Sequence, residues 1–151
     1  MDKSISFPQP DHMLCFSVYA AGLAFNRLYR DLLKQFDITY PQFLVLLALR
    51  QKNDCKVNDL GDALFLESNT LTPILKKLEA MGLIRRQRST EDERQVNVSL
   101  TDAGRALRQR GLQRTLVKAT GLQADEFARL QKTVATVRDN LIRQTQDSNG
   151  D

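Results

Sequence analysis

Between Asp11 and Phe36, the positions Leu14, Val18, Gly22, Phe25, Leu28, Leu32 and Phe36 recur at steps of three and four residues, the spacing of one helical face. The pattern predicts a long first helix, with Asp11 after Pro10 as its N-cap and with Asp37 and Pro41 bracketing its exit. Thr39 is placed to cap a second helix from Pro41 to Leu49, whose apolar character on nearly every side predicts a central, buried position. Lys52-Asn53-Asp54 reads as a turn.

The next stretch changes rhythm. Val57 to Leu64 predicts a short helix and Phe65-Leu66-Glu67 a tight turn. Ser68 is expected to cap a further helix that runs to Met81 and stops at Gly82. Two short helices joined by such a turn have helix-turn-helix spacing. Residues 83–88 and 95–100 are short strand-like runs, the second alternating with period two, and the polar residues 89–94 between them predict a β-hairpin appended to the helix pair.

Thr101 is then read as the cap of a helix from Asp102 to about Lys118, interrupted at Gly121 and followed by a last helix to about Arg143. Along that helix Phe127, Leu130, Val134, Val137 and Leu141 step by three and four, a coiled-coil-like seam that needs a partner. The first helix of the same chain could supply one, but long helices at both ends of a small central unit fit a dimer bundle better. Residues 144–151 read as a frayed tail.

Composition narrows the class. A chain of 151 residues that is 42% hydrophobic and 26% charged fits one soluble domain. No apolar run reaches membrane length, and the first residues lack signal-peptide features, so a cytoplasmic protein without a membrane partner is expected. Two cysteines are too few for a disulfide scaffold, and with His12 as the one histidine no metal-ligand cluster is expected. Phosphate-cradling glycine loops and a nucleophile elbow are missing, so neither enzyme chemistry nor a cofactor is expected.

The net charge of +4 is unevenly placed: residues 1–67 carry seven basic and eight acidic side chains, residues 68–118 eleven and five, and residues 119–151 four and five. A basic block confined to one segment is the footprint expected for phosphate contact. On the Ser68 helix, Leu71, Ile74, Leu75, Leu78 and Met81 form the apolar stripe, while Ser68, Asn69, Thr70, Thr72, Pro73, Lys76 and Lys77 occupy the other face. Short hydroxyl and amide groups there can reach base edges in a major groove, and the lysines can neutralise backbone charge. Pro73 predicts an irregular first turn. The hairpin carries Arg85, Arg86 and Arg88 on one side and Arg94 after an acidic tip. An arginine there can enter a narrow minor groove. Asp92 either holds the turn or orients the Arg94 guanidinium.

Asp92-Glu93-Arg94, then Leu100-Thr101 and Gly104, together with Leu78 to Ile84, resemble the signature of MarR-type regulators over residues 12–145. The resemblance implies a mainly α fold: a winged helix-turn-helix with a two-stranded β-wing and an N- and C-terminal helical dimerisation bundle. It implies one domain over residues 1–151, with 11–36 and 102–143 serving dimerisation and 39–101 binding DNA. The implied partners are a second copy of the chain and a pseudo-palindromic double-stranded operator. Arg94 would be the minor-groove residue.

Cys15 falls in the first turn of the first helix, where unpaired N–H groups and the helix dipole favour the thiolate that reacts with peroxides. Chemistry alone leaves it open whether Cys15 is such a thiol or a small core residue. Leu14 to Ala20, with Tyr29 and Tyr40 downstream, resemble the organic-hydroperoxide-sensing branch of the MarR-type family. That resemblance implies that Cys15 is the redox sensor and that tyrosine hydroxyls, those of Tyr29 and Tyr40 with Tyr19 a weaker candidate, reach it across a dimer. Phe127 occupies the region where some members carry a second cysteine, so the one-cysteine type is implied, with small thiols capping the oxidised sulfur. The function expected is a repressor released by organic hydroperoxides. The alternative is a repressor induced by a non-covalent phenolic or amphipathic ligand.

Overall fold

The computed structural model describes residues 9–49, 54–110 and 113–147, and Lys52 and Asn53 of the expected turn lie outside them. The chain divides into two compact units, residues 1–110 and 111–151.

In the first unit, a 3-10 turn at Pro10–His12 precedes α1 (Leu14–Leu33). Asp11 is therefore not the N-cap. Met13 holds that position without a side-chain bond, because the 3-10 turn directs the Met13 N–H to the Pro10 carbonyl and displaces the helix start. A second 3-10 turn, Lys34–Phe36, ends at Asp37, which takes the left-handed conformation at φ 54°. The helix α2 (Tyr40–Ala48) starts as expected: Thr39 Oγ1 accepts the Gln42 N–H, the Gln42 side chain accepts the Thr39 N–H, and Pro41 needs no donor in the first turn.

A two-residue strand β1 (Cys55–Lys56), which no local pattern announces, leads into α3 (Val57–Leu64). The chain reverses at Phe65, φ 56°, and enters α4 (Ser68–Ala80). Glu67, not Ser68, is the N-cap of α4, and Ser68 is already helical, so the cap expected at Ser68 is one residue out. Gly82 at φ 72° then turns the chain into β2 (Ile84–Arg88), which pairs with β3 (Val96–Leu100). The sheet is antiparallel in the order β1-β3-β2, so the expected two-stranded wing gains a short third strand at its base.

The helix α5 (Asp102–Gln109) is capped by Thr101, whose Oγ1 accepts the Gly104 N–H and donates to the Gly82 carbonyl. The expected continuous helix to Lys118 is not found: α5 ends at Gln109, where the Arg110 N–H bonds Leu107 O in a tightened last turn. The core of this unit is Leu33, Val45, Leu46, Leu49, Leu60, Leu71, Leu75, Leu78, Ile84 and Val98, each nearly or wholly buried. Each such side chain contributes about 1.5–3 kcal/mol by leaving water. On α1 the buried residues are Tyr29 and Leu33, one step off the predicted face, while Leu14, Val18 and Phe25 of that face are exposed together with Phe16, Tyr19 and Leu23.

The second unit holds α6 (Gln113–Thr120) and α7 (Ala124–Asp147). Gly121, at φ 71°, separates them, and the Gln123 N–H donates to the Glu126 carboxylate at the start of α7. The helix runs through Asp147, past the expected end at Arg143, and its seam leaves Leu130, Val134 and Leu141 exposed. Among the described residues no helix is long and apolar enough to cross a membrane.

Candidate nucleic-acid interface and cysteine site

The helix α4 sorts its side chains by period. Leu71, Leu75 and Leu78 turn inward, Ile74 and Met81 are half-buried, and Ser68, Asn69, Thr70, Thr72, Pro73, Lys76 and Lys77 are exposed. The structure thus presents every expected base- or phosphate-facing residue of this helix to solvent. The Thr72 hydroxyl donates to Ser68 O at 2.7 Å, one turn back, which occupies its proton and leaves the oxygen able to act only as an acceptor. Pro73 lies inside the helix and removes the N–H that would have bonded the Asn69 carbonyl, yet the helix continues unbroken to Ala80.

The wing tip is tied by its own backbone and two polar side chains. Asp92 Oδ1 accepts the Arg94 N–H at 3.0 Å, so Asp92 holds the turn through the backbone of Arg94. Ser89 Oγ accepts the Glu91 and Asp92 N–H groups, the Ser89 N–H bonds Gln95 O, and the Gln95 N–H bonds Asp92 O. Arg94 and Arg88 are exposed beside this tied tip.

Strand alternation separates the arginines that the sequence groups together. Arg86 is paired in register with the buried Val98, and Arg85 with Ser99, so Arg85 and Arg86 point to opposite faces of the hairpin. Arg86 is half-buried, with its Nε 2.7 Å from Glu79 Oε2. Arg86, expected among the DNA-contacting residues, thus also has a partner within the chain. Glu79 follows Lys76 and Lys77 on α4, and only the register of the hairpin reveals where its carboxylate goes. Arg86, Arg94, Thr72, Lys56 and Asn58 line one open groove of 450 Å³ between α3, α4 and the wing.

Tyr29 and Tyr40, expected as partners of the cysteine, lie against each other. Their rings stack with centroids 4.0 Å apart and 17° between planes, and Phe43 closes on Tyr29 at 6.2 Å. Burial, then the charge of Tyr40, pushes the Tyr29 phenol up to about 12, and burial also raises that of Tyr40. Cys15 is exposed near the other end of α1, and Tyr19 packs against Phe16 at 6.5 Å. Fourteen residues of helix separate Cys15 from Tyr29, about 21 Å along the axis, so the chain does not join its own cysteine to its own tyrosine pair. Cys55 is half-exposed on β1, with its Sγ 3.6 Å from Lys56 O.

A helix pair with a solvent-facing second helix and a basic, tied hairpin defines a winged-helix unit, and the similarities run the same way. Residues 27–110 match the family described as Transcriptional regulator SarA/Rot. The chain is 49% identical over 133 residues to the HTH-type transcriptional regulator TtmR of Methylorubrum extorquens, spanning 87% of this chain and 68% of that one. It is 35% identical over 143 residues to the Organic hydroperoxide resistance transcriptional regulator of Bacillus subtilis, spanning 93% and 97%. A solved structure of reduced AbfR bound to DNA superposes with a TM-score of 0.66 at 40% identity, covering 85% of this chain and 91% of that one. The chain belongs to the MarR/SarA family of winged-helix transcriptional regulators. It is a regulator of transcription and not an enzyme.

Proposed function

We propose that the protein is a homodimeric, cytoplasmic repressor that binds a pseudo-palindromic double-stranded operator and is released when an organic hydroperoxide oxidises Cys15. The observation that carries the DNA half is the exposure, within one unit, of Ser68, Asn69, Thr70, Thr72, Pro73, Lys76 and Lys77 on α4 together with Arg94 and Arg88 on the wing. In this reading α4 enters the major groove, Arg94 the minor groove, and Lys76, Lys77 and Arg88 meet phosphates. Asp92 keeps the tip in shape for Arg94.

Residues 1–151 act as one functional domain, with 39–101 reading DNA and the end helices within 11–36 and 102–143 pairing with a second copy. The exposed apolar residues Leu14, Phe16, Val18, Leu23 and Phe25 on α1, and Leu130, Val134 and Leu141 on α7, support that pairing. The dimer also gives the separated redox groups a way to meet, the Tyr29–Tyr40 pair of one protomer hydrogen-bonding Cys15 of the other. Cys15 thiolate attacks a peroxidic oxygen, an S–O bond forms as the O–O bond breaks, and the alkoxide leaves and is protonated to the alcohol. A small thiol then attacks the sulfenic sulfur, forming a mixed disulfide as the S–O bond breaks and the hydroxyl leaves as water. The name of the Bacillus subtilis relative supports organic hydroperoxides as the oxidants.

The DNA reading is tested by anisotropy titrations of the full chain with a duplex selected from a random pool, across a range of salt. Arg94→Ala is expected to weaken binding about tenfold and to reduce the magnitude of the salt slope by about one. A wild-type protein that selects no duplex, or an Arg94→Ala variant that binds as the wild type does, refutes this placement of the wing.

A further inference from the structure

We propose that the Glu79–Arg86 pair is a positioning clasp that holds the wing at a set angle to α4, so that discrimination between DNA sequences depends on it more than overall DNA affinity does. The inference rests on the DNA-binding reading above. Arg86 Nε lies 2.7 Å and Nη2 2.6 Å from Glu79 Oε2, so one carboxylate oxygen takes two nitrogens of a planar fork and fixes its direction. The pairs Arg105–Asp102, Arg129–Asp125 and Arg138–Asp139 each lie within one helix, whereas Glu79–Arg86 joins a helix to a strand.

The register explains why Arg86 must turn towards α4. It faces the same way as its strand partner Val98, which is wholly buried, so its guanidinium leaves the inner face of β2 along the side of the helix. The two side chains are 27% and 39% exposed, a setting in which an ion pair contributes little to stability but still selects one geometry. Thr72 on α4, Arg86 in the clasp and Arg94 at the wing tip line the same groove. The clasp is therefore the polar link between the segment assigned to the major groove and the one assigned to the minor groove. Bases read by α4 and the step entered by Arg94 are scored together only if that angle is held.

Electrostatics gives the test its sign. Removing a carboxylate beside Lys76 and Lys77 raises affinity for any duplex, and removing an arginine lowers it. A clasp predicts that both losses have the same effect on discrimination. The experiment titrates the full chain, at one salt concentration, with a duplex selected by the wild type from a random pool and with a scrambled duplex of the same composition. Glu79→Ala and Arg86→Ala are each expected to lower the selected-to-scrambled affinity ratio about tenfold, with the double variant falling no further than either single one. Binding to the scrambled duplex should rise in the first and fall in the second. Arg86→Lys keeps the charge without the fork, and it should also lose the ratio. It carries the test should Arg86→Ala lose its fold. A wild-type ratio well above one with unchanged ratios in these variants overturns the clasp alone. A wild type with no preference for any selected duplex overturns the DNA-binding reading, and the clasp with it.

Discussion

Gly104 offers the sharpest quantitative test of how the winged unit is put together. A Cβ placed on it would lie 2.1 Å from the Leu83 carbonyl oxygen and 3.1 Å from Leu100 Cδ2, in a space bounded by backbone that cannot swing aside. Gly104→Ala must then push α5 off the Leu83 strand entrance by about 1 Å, an overpacking change of the kind that costs about 1–3 kcal/mol. The shift also strains the Thr101 N–H bond to Leu83 O at 3.1 Å and the Thr101 hydroxyl bond to Gly82 O at 2.6 Å. Each such hydrogen bond contributes about 1 kcal/mol. Against this, alanine gains about 1 kcal/mol over glycine inside a helix, so a net loss of about 3 kcal/mol is expected. Urea unfolding followed by circular dichroism, at one fixed protein concentration because the stability of the proposed dimer depends on it, should show a lower midpoint with an unchanged slope. Ala103→Ser, on the exposed side of the same turn, should stay within about 0.5 kcal/mol of the wild type. A Gly104→Ala protein as stable as Ala103→Ser would refute the close approach of α5 to the Leu83 backbone.

Two further predictions concern the first unit. Thr39→Ala deletes one half of the reciprocal cap on α2 and is expected to destabilise the protein by about 1 kcal/mol, read as a lower thermal midpoint. Because the Tyr29 phenol is raised to about 12 in the folded protein, above its ordinary value of about 10, the folded state holds that proton longer than the unfolded chain does. The stability this provides is complete below pH 10 and is lost as the pH rises from 10 to 12. Tyr29→Phe should remove both that part of the alkaline stability loss and an absorbance step at 295 nm centred near pH 12.

Elements that rest on neighbouring residues were legible in the sequence. The bounds of α3, the Thr39 and Thr101 caps and the hairpin follow from period, cap chemistry and turn residues, and all are found where expected. The misses share a different cause. The strand β1 exists only because β3 lies beside it, paired as Cys55 with Val98 and Lys56 with Asn97, and two residues carry no period of their own. The role of Glu79 depends on an inward-facing arginine seven positions later, which requires the strand register to be known first. On α1, the apolar residues are numerous enough to suggest several faces, and the chain buries the one at Tyr29 and Leu33. The tyrosine stack was expected only as two residues that serve one sulfur. Its ring geometry comes from the left-handed turn at Asp37, which returns Tyr40 against Tyr29.

In the proposed switch a DNA-reading wing answers to a thiol near the start of α1, and one comparison tests both. Wild-type protein and Cys15→Ser, each bound to a selected duplex under reducing conditions, are treated with cumene hydroperoxide after the reductant is removed, and anisotropy is followed beside intact-mass analysis. The wild type should release the duplex as Cys15 gains oxygen or a capping thiol, while Cys15→Ser stays bound. Equal release of both proteins, or a wild type that remains bound with Cys15 fully oxidised, contradicts the switch.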